Sequence, residues 1–321
     1  MGENGSGRPW SLALRVRDAR RMATSQFGLL TTEQLEAFGV ESSGRARMVQ
    51  RGHLVPVHPG VWRIPDVATS KRQKWLAACL AVEGAALSHH SAAAFYQLDI
   101  PEPEVVHVAV PRRGVHGPEG VCVHCVGLLP PQSIAGVEPL RVTRIERTLL
   151  DLAACLDDES LQTVFDSAWR KRKVDPIELG RQLARAGPGR YGVARLRRAV
   201  ADAVARVRPL ESRLEVMFWR AARANRLRPE VQVPLINSHR PNYRLDFLFR
   251  EENLVVETMG FSSHGTEEKF EKDAIRVARI VASGRAVLPV TYRMMRDIPD
   301  EVMRLVDEAL AIRRRASRER R

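Results

Sequence analysis

The sequence predicts an α/β protein with several domains. Its 321 residues are enough for two or three domains at about 100 to 200 residues each. Three helical patterns and a strand pair come first, a mixed segment follows, and strands alternate with helices again toward the C-terminus. With 44% hydrophobic and 28% charged residues, the composition is that of a folded globular protein, which excludes wholesale disorder and a fibre.

The order of these patterns divides the chain into five predicted segments. They are a Gly/Ser/Pro-rich leader expected to be disordered, a winged helix-turn-helix, a mixed α/β middle domain, a C-terminal α/β domain and a basic tail. Their ranges are 1–13, 14–66, 67–203, 204–312 and 313–321. The most apolar stretch, residues 75–87, contains Glu83 and is too short for the roughly 20 residues that span a bilayer, so no membrane contact is expected.

The cysteines and the net charge indicate where, and on what, the protein acts. Its four cysteines are widely scattered and form no disulfide framework, which favours a reducing, cytoplasmic location. Lys and Arg number 51 against 38 Asp and Glu, a net charge of +13 that points to a polyanion such as DNA. Residues 311–321 hold six arginines and one glutamate, so part of this charge lies in a tail expected to be solvated.

The first structured segment has the element order of a winged helix-turn-helix. Thr31 and Gln34 supply capping chemistry that opens the second of three helices, and Gly39 ends it. Residues 43–50 continue as the third helix. Strand patterns then lie on either side of a turn at residues 58–60. Three helices followed by a hairpin predict a winged helix.

The middle segment mixes helices with strands. We expect a helix over residues 75–97, strands over 105–110 and 121–126, and a helical run from residue 147 onward. In that run Asp151 is expected to pair with Arg147 one turn earlier.

Two clusters in the middle segment are assigned structural roles. Residues 122–125 read Cys-Val-His-Cys, but strong zinc sites have a second pair at matching spacing, so no zinc site is predicted. Cys122 and His124 would share one face of a strand, and Cys125 would lie on the other. The two histidines beside Ser91 are expected on a helix surface or at a cap, because adjacency alone does not make a catalytic triad.

The C-terminal segment places two carboxylates opposite each other. Two strand patterns flank a four-residue loop at 250–253. If this loop closes a hairpin, Phe249 faces Leu254 and Asp246 faces Glu257. Directly opposed side chains have Cβ atoms about 4.5 to 5.5 Å apart, and two anions at that distance repel unless a cation lies between them or one is protonated. The pair therefore predicts a cation site.

A divalent metal is the cation that suits these oxygen ligands. Mg²⁺ or Mn²⁺ fits them better than Zn²⁺, and Glu211 or Glu215, one turn apart on the preceding predicted helix, would add an oxygen. The helix after the strands carries basic residues opposite its expected apolar stripe: Lys269, Lys272, Arg276 and Arg279. With His264 to activate or position water, these groups would form a phosphodiester hydrolase. The alternative is a solvent-facing acidic hairpin beside a solvated basic helix.

The same segment resembles a known family. The runs that carry the likeness are PLESRL at 209–214, YRLDF at 243–247, VVETMG at 255–260 and HG at 264–265. They are similar to the very-short-patch-repair-like endonucleases of the PD-(D/E)XK, or restriction-endonuclease-like, superfamily. The resemblance implies a restriction-endonuclease-like α/β fold in which Glu211, Asp246 and Glu257 hold Mg²⁺ and DNA is cut.

One position departs from that family pattern. Met259 stands where relatives often have Asp, or Lys in the wider superfamily. A thioether neither binds Mg²⁺ nor stabilises an anion, so Lys269 or Lys272 would have to substitute from the helix.

The front half resembles the type IV antitoxin family (AbiEi-like). The similar runs are GLLTTEQL at 28–35, GHLVPVHPGVW at 52–62, LSHHSAA at 87–93 and RTLLDLA at 147–153. The resemblance implies an operon-repressing DNA-binding protein. The residues it places against DNA are Ser43, Arg45, Arg47 and Arg51 on the third helix, with His58 and Arg63 at the wing. Arginines on a recognition helix pair with guanine or clamp phosphates.

Two functions remain open from the sequence. The first, which Met259 favours, is an antitoxin-like transcriptional regulator whose endonuclease-like domain is degenerate; its partners would be DNA and a cognate toxin, with no resident metal. The second is an active endonuclease dependent on Mg²⁺ or Mn²⁺, with Asp246 and Glu257 at the reaction centre and His264 or Lys272 assisting.

Overall fold

A computed structural model describes residues 12–185, 192–206, 208–235, 243–259 and 267–319. The chain divides into two compact units, residues 1–151 and 152–321. Both units combine helices with strands, which confirms the predicted α/β architecture with more than one domain. The finer division into a winged helix, a middle domain and an endonuclease-like domain stays a prediction.

The first unit opens with three helices and a small antiparallel sheet. These elements are α1 (Leu12–Ser25), β1 (Leu29–Thr31), α2 (Thr32–Ala37), α3 (Ser42–Gln50), β2 (Val55–His58) and β3 (Val61–Arg63). The strand order is β1-β3-β2, and Gly60 turns the β2–β3 hairpin with a φ of +74°, a conformation that glycine adopts without steric cost. This arrangement is consistent with the predicted winged helix.

A five-stranded sheet completes the first unit. Its elements are α4 (Lys71–Ala81), β4 (Ala86–Leu87), α5 (His89–Phe95), β5 (Val106–Val110), β6 (Val121–Cys125), β7 (Ile134–Val137), β8 (Leu140–Thr143) and α6 (Ile145–Leu152). The strand order is β6-β5-β4-β8-β7, with β5 and β6 parallel.

The single helix predicted over residues 75–97 is wrong. The chain turns at Gly84, where φ is +73°, and β4 enters the middle of the sheet before α5 begins. Ala86 and Leu87 are fully buried, so the gain from packing this short apolar segment between strands outweighs its helix propensity.

The second unit places helices ahead of, and around, a four-stranded sheet. Three helices come first: α7 (Asp158–Arg170), α8 (Pro176–Arg185) and α9 (Val193–Arg206). The elements that follow are α10 (Arg213–Ala224), β9 (Glu230–Leu235), β10 (Tyr243–Phe249), β11 (Leu254–Met259), α11 (Glu267–Ala282), β12 (Ala286–Thr291), α12 (Tyr292–Asp297) and α13 (Pro299–Glu319).

The four-stranded sheet has the order β12-β11-β10-β9. β9 and β11 each pair with β10 in the antiparallel direction. β12 pairs with β11 in the parallel direction, after the α11 crossover. Pro289 lies in β12 at the sheet edge, as predicted, because proline donates no hydrogen bond to a further strand.

The main core of the second unit lies between α10, α13 and this sheet. Phe218 and Phe247 are fully buried, with ring centroids 4.7 Å apart. A smaller apolar cluster joins Leu248 and Val255 to Ile280 of α11. The two carboxylate-bearing strands are therefore held between packed layers, which fixes their register.

The last helix runs through most of the range predicted as a solvated basic tail. α13 continues to Glu319, and Arg314 and Arg315 within it are exposed. Arg313 Nε donates to the Glu252 carbonyl at 2.9 Å, and Arg314 Nε lies 2.7 Å from the Glu252 carboxylate. These contacts hold the helix end against the β10–β11 turn.

Two sequence expectations concern the chain's surroundings. All four cysteines, each within the described ranges, are free thiols, as the scattered spacing predicted. No helix in the described part of the chain is long and apolar enough to span a bilayer.

Candidate functional site

The start of α2 is fixed by side-chain contacts. Thr31 Oγ1 accepts a hydrogen bond from the Gln34 N–H at 3.3 Å, and Gln34 Oε1 accepts one from the Thr31 N–H at 2.9 Å. This reciprocal cap confirms the predicted helix start. Trp62 Nε1 donates to Thr32 Oγ1 at 3.0 Å, so β3 is tied to the same helix end and the β2–β3 hairpin is positioned relative to α2.

The third helix presents basic side chains to solvent. Ser43 and Arg47 are exposed within α3, and Arg51 is exposed at its C-terminal cap. Arg45 differs, because its guanidinium lies 2.9 Å from the Glu36 carboxylate and only 12% of its side chain is exposed. Arg47 and Arg51 are therefore available to phosphates or base edges, whereas Arg45 holds α3 against α2 and its predicted DNA contact is untested.

The two predicted wing residues are half-buried. Burial lowers the pKa of His58, so its imidazole is neutral at pH 7. Arg63 donates to the carbonyls of Val67 at 3.3 Å and Pro65 at 3.5 Å. Their contacts with DNA stay predictions, and Arg63 already supports the loop after β3.

Asp246 and Glu257 lie side by side on neighbouring strands. The β10–β11 register pairs Phe249 with Leu254, as the four-residue loop predicted. The backbone N–H of Asp246 donates to Glu257 Oε1 at 3.2 Å. The expectation that these two acids are cross-strand neighbours is thus confirmed.

A guanidinium lies between the two acids. Arg276 of α11 places Nη2 2.7 Å from Asp246 Oδ1 and Nε 2.7 Å from Glu257 Oε2. Its Nη2 also donates to the Arg244 carbonyl at 2.8 Å. The two buried carboxylates repel each other, and Arg276 supplies the positive charge that offsets this repulsion.

Asp246 accepts further hydrogen bonds, and burial raises the pKa of Glu257. Asp246 Oδ2 accepts hydrogen bonds from the Thr258 N–H at 2.9 Å and from its hydroxyl at 2.6 Å. Burial, with the charge of Asp246, raises the pKa of Glu257 well above its ordinary value despite the opposing Arg276. The pair therefore takes up a proton near neutral pH, a property common at functional sites.

Glu211 lies outside the helix on which it was predicted. Ser212 is the N-cap of α10, and its hydroxyl accepts from the Glu215 N–H, so Glu211 precedes the first turn. The Glu211 carboxylate pairs with Arg244, which is exposed. The prediction that Glu211 and Glu215 occupy successive turns of one helix is wrong because the N-cap falls between them.

Glu215 is the buried helix acid whose charge state depends on Asp246. Its Oε2 accepts from the Glu211 N–H at 2.9 Å and from Gln232 Nε2 at 2.8 Å. Burial, followed by the charge of Asp246, raises the pKa of Glu215 to about 7. Gln232 has a φ of +53°, a left-handed backbone conformation that is uncommon for a non-glycine residue.

The structure describes only some of the remaining predicted site residues. Lys272 has an exposed side chain on α11, and Met259 is half-buried at the end of β11. His264 lies outside the described residues, as does the side chain of Lys269. The metal and catalytic assignments of Glu211, Asp246, Glu257, His264 and Lys272 stay predictions.

The comparisons with known proteins concern the front of the chain. Residues 17–65 match the family described as transcriptional regulator, AbiEi antitoxin. The matched range contains α2, α3 and the β2–β3 hairpin, so this region is antitoxin-like and the match supports a DNA-binding role. No curated protein matches the chain significantly.

Sequence reasoning missed the orientation of Arg276. It placed the basic residues of α11, Arg276 among them, opposite the expected apolar stripe. The structure leaves Val281 53% exposed and buries Ile280, and Arg276 is one turn before Ile280 on the same face. The spacing of Arg276 and Ile280 at i and i+4 was the signal available in the sequence, but only the position of the sheet shows which face of α11 is inward.

Proposed function

We propose that the protein is a cytoplasmic, antitoxin-like transcriptional regulator that binds DNA through its N-terminal winged helix. The observation that carries the proposal is the exposure of Arg47 and Arg51 on and after α3, inside the range that matches the AbiEi antitoxin regulators. Guanidiniums there neutralise phosphates and read guanine. In this proposal a cognate toxin is the protein partner.

The acidic centre fits this regulatory function as a degenerate endonuclease-like domain. Arg276 compensates the charges of Asp246 and Glu257, and Met259 lies where the resemblance calls for a polar group. Such a domain retains a packed sheet and a charged surface. We propose that it serves DNA binding or assembly with the partner toxin.

The test of the regulator is DNA binding at several salt concentrations. Wild-type protein should shift a fragment carrying its own promoter in preference to an unrelated fragment. Arg47→Ala and Arg51→Ala should each weaken binding and reduce the slope of log affinity against log salt by about one for each phosphate that is no longer neutralised. Arg113→Ala removes an exposed charge that lies after β5, outside the matched range, and is the matched control. Equal binding by all these proteins would overturn the proposed interface.

A second candidate is a DNA endonuclease dependent on Mg²⁺ or Mn²⁺. The observation that favours it is the adjacency of Asp246 and Glu257, with buried Glu215 coupled to Asp246. The order of the elements also fits the superfamily resemblance: a helix, three antiparallel strands, a crossover helix and a parallel strand. In this alternative the strand acids and Glu211 hold the metal, which polarises the phosphate and activates water.

The second candidate requires cleavage of a supercoiled plasmid with Mg²⁺ or Mn²⁺. Cleavage that Asp246→Ala abolishes, and that Glu251→Ala preserves, would establish it. Glu251 is the matched control because it is an exposed carboxylate in the loop of the same hairpin. Promoter binding without metal-dependent nicking would leave the regulator as the function. His264→Ala and Lys272→Ala then test the predicted assistance.

A further inference from the structure

The five-stranded sheet of the first unit carries a cluster of histidines that the proposed functions do not use. β5 and β6 are parallel, and their register places His107 opposite Cys122. His124 lies two residues after Cys122, so both side chains project from the same face. α5 begins beside these strands with His89 and His90.

The side chains converge closely on that face. His107 Nδ1 lies 2.8 Å from His124 Nε2, and Cys122 Sγ lies 3.5 Å from the same His124 nitrogen. One ligand atom from each of the three residues lies within 4.8 Å of the others. Zinc bound at about 2.0–2.1 Å to nitrogen and about 2.3 Å to sulfur separates tetrahedral ligand atoms by roughly 3.3 to 3.6 Å, so changes of no more than about 1.3 Å in these separations would admit the ion.

The surrounding rings favour a cation that binds nitrogen lone pairs. His89 stacks on His124 with ring centroids 3.6 Å apart, and the His90 ring centroid is 5.0 Å from that of His107. His90 Nδ1 is buried and has no hydrogen-bond partner among the described residues.

We propose that His107, Cys122 and His124 form a zinc-binding site on the β5–β6 face. Two imidazoles and a thiolate are a borderline-soft donor set that suits Zn²⁺ rather than Mg²⁺. His90 lies outside the group of ligand atoms within 4.8 Å of one another, and it would become a fourth ligand only by moving its ring, whose buried Nδ1 lacks a partner among the residues that the structure describes. Bound Zn²⁺ would join β5 to β6 through side chains and deprotonate the Cys122 thiol.

The test is metal binding by the full-length chain without a polyhistidine tag. After chelator treatment and dialysis, Zn²⁺ is titrated in competition with a chromophoric chelator. We expect one tightly bound Zn²⁺ per chain, and we expect Cys122→Ser to lower its affinity by at least about tenfold, since even partners of the ligands contribute 10- to 100-fold. Cys125→Ser is the matched control, because that exposed thiol faces the Val115 carbonyl at 3.9 Å instead.

Cobalt supplies a readout that does not depend on affinity. Co²⁺ in the site should give a thiolate-to-metal charge-transfer band in wild-type and Cys125→Ser protein, and no such band in Cys122→Ser. Circular dichroism establishes that each variant is folded, and His124→Gln replaces Cys122→Ser if the latter is not. Glu257→Gln should bind Zn²⁺ like wild type, which separates this site from the acidic centre. Absence of stoichiometric Zn²⁺, or equal loss in both cysteine variants, would overturn the proposal.

Discussion

Replacement of Arg276 by methionine tests whether its guanidinium balances the acid pair. Methionine retains much of the aliphatic length but removes the charge that lies 2.7 Å from both Asp246 and Glu257. Two largely buried carboxylates would then face each other without a counter-ion, and the pKa of Glu257, already raised by burial and by Asp246, should rise further.

The expected cost follows from the exposure of the three side chains. Asp246 and Glu257 side chains are 8% and 4% exposed, whereas that of Arg276 is 32% exposed. Removing one member of a buried pair typically costs about 3–5 kcal/mol, and an exposed pair contributes about 0–1 kcal/mol. We expect an intermediate decrease of about 2–3 kcal/mol at pH 8. The pKa of Glu257 is higher in the folded state than in the unfolded state, so Glu257 takes up its proton in the folded protein as pH falls. The protonated acid no longer repels Asp246, and the loss of stability caused by Arg276→Met should therefore shrink as pH falls toward 5.

Urea unfolding of wild type and Arg276→Met at pH 8 and pH 5 measures this difference. Hydrogen exchange across residues 243–259 shows whether the destabilisation is local to the two strands. Arg304→Met is the matched control, since Arg304 forms an exposed pair with Glu301 on α13 and should cost at most about 1 kcal/mol. If Arg276→Met were as stable as this control at pH 8, the assigned electrostatic function of Arg276 would be refuted.

Three further outcomes are expected. In Glu215→Gln the amide oxygen can accept the two hydrogen bonds that Glu215 Oε2 accepts in the wild type. The pKa of Glu215 is about 7 in the folded state, above its unfolded value. Glu215 therefore lowers the stability of the wild-type fold as pH rises through 7 and the side chain loses its proton. The variant should therefore be more stable than wild type by about 1–2 kcal/mol at pH 8 but not at pH 5, as measured by thermal unfolding. Arg45→Ala should lower the stability by about 1–2 kcal/mol because it removes the hydrogen bonds to α2 and the following turn. Arg47→Ala should lower only the affinity for DNA. Thermal unfolding measures the first effect and gel-shift assays measure the second. Thr258→Val removes the hydroxyl bond of 2.6 Å to Asp246 and should cost about 1–3 kcal/mol in urea unfolding; an unchanged midpoint would contradict this.

Local patterns predicted much of the fold. The α2 cap at Thr31 and the four-residue β10–β11 loop depend on residues that are near in sequence, so both could be placed without coordinates. The loop length also fixed the pairing of Phe249 with Leu254, and with it the adjacency of the two strand acids.

Contacts between distant elements could not be predicted from these patterns. The β5–β6 pairing is parallel and brings His107 to Cys122, but nothing in either strand specifies that register. The start of α10 was misplaced because Ser212, rather than an earlier residue, caps it. Side chains that reach across elements, such as Arg276, depend on where the sheet lies relative to the helix.

The contacts of α13 with the turn after β10 have a practical consequence. Arg313 and Arg314 both bind Glu252, at the bend of the hairpin that carries Asp246 and Glu257. Mechanical pull on the end of this helix, from a fused peptide or an adsorbing surface, would be transmitted directly to the hairpin. Handles for purification or immobilisation therefore belong away from the last helix if the spacing of the two acids is to be measured undisturbed.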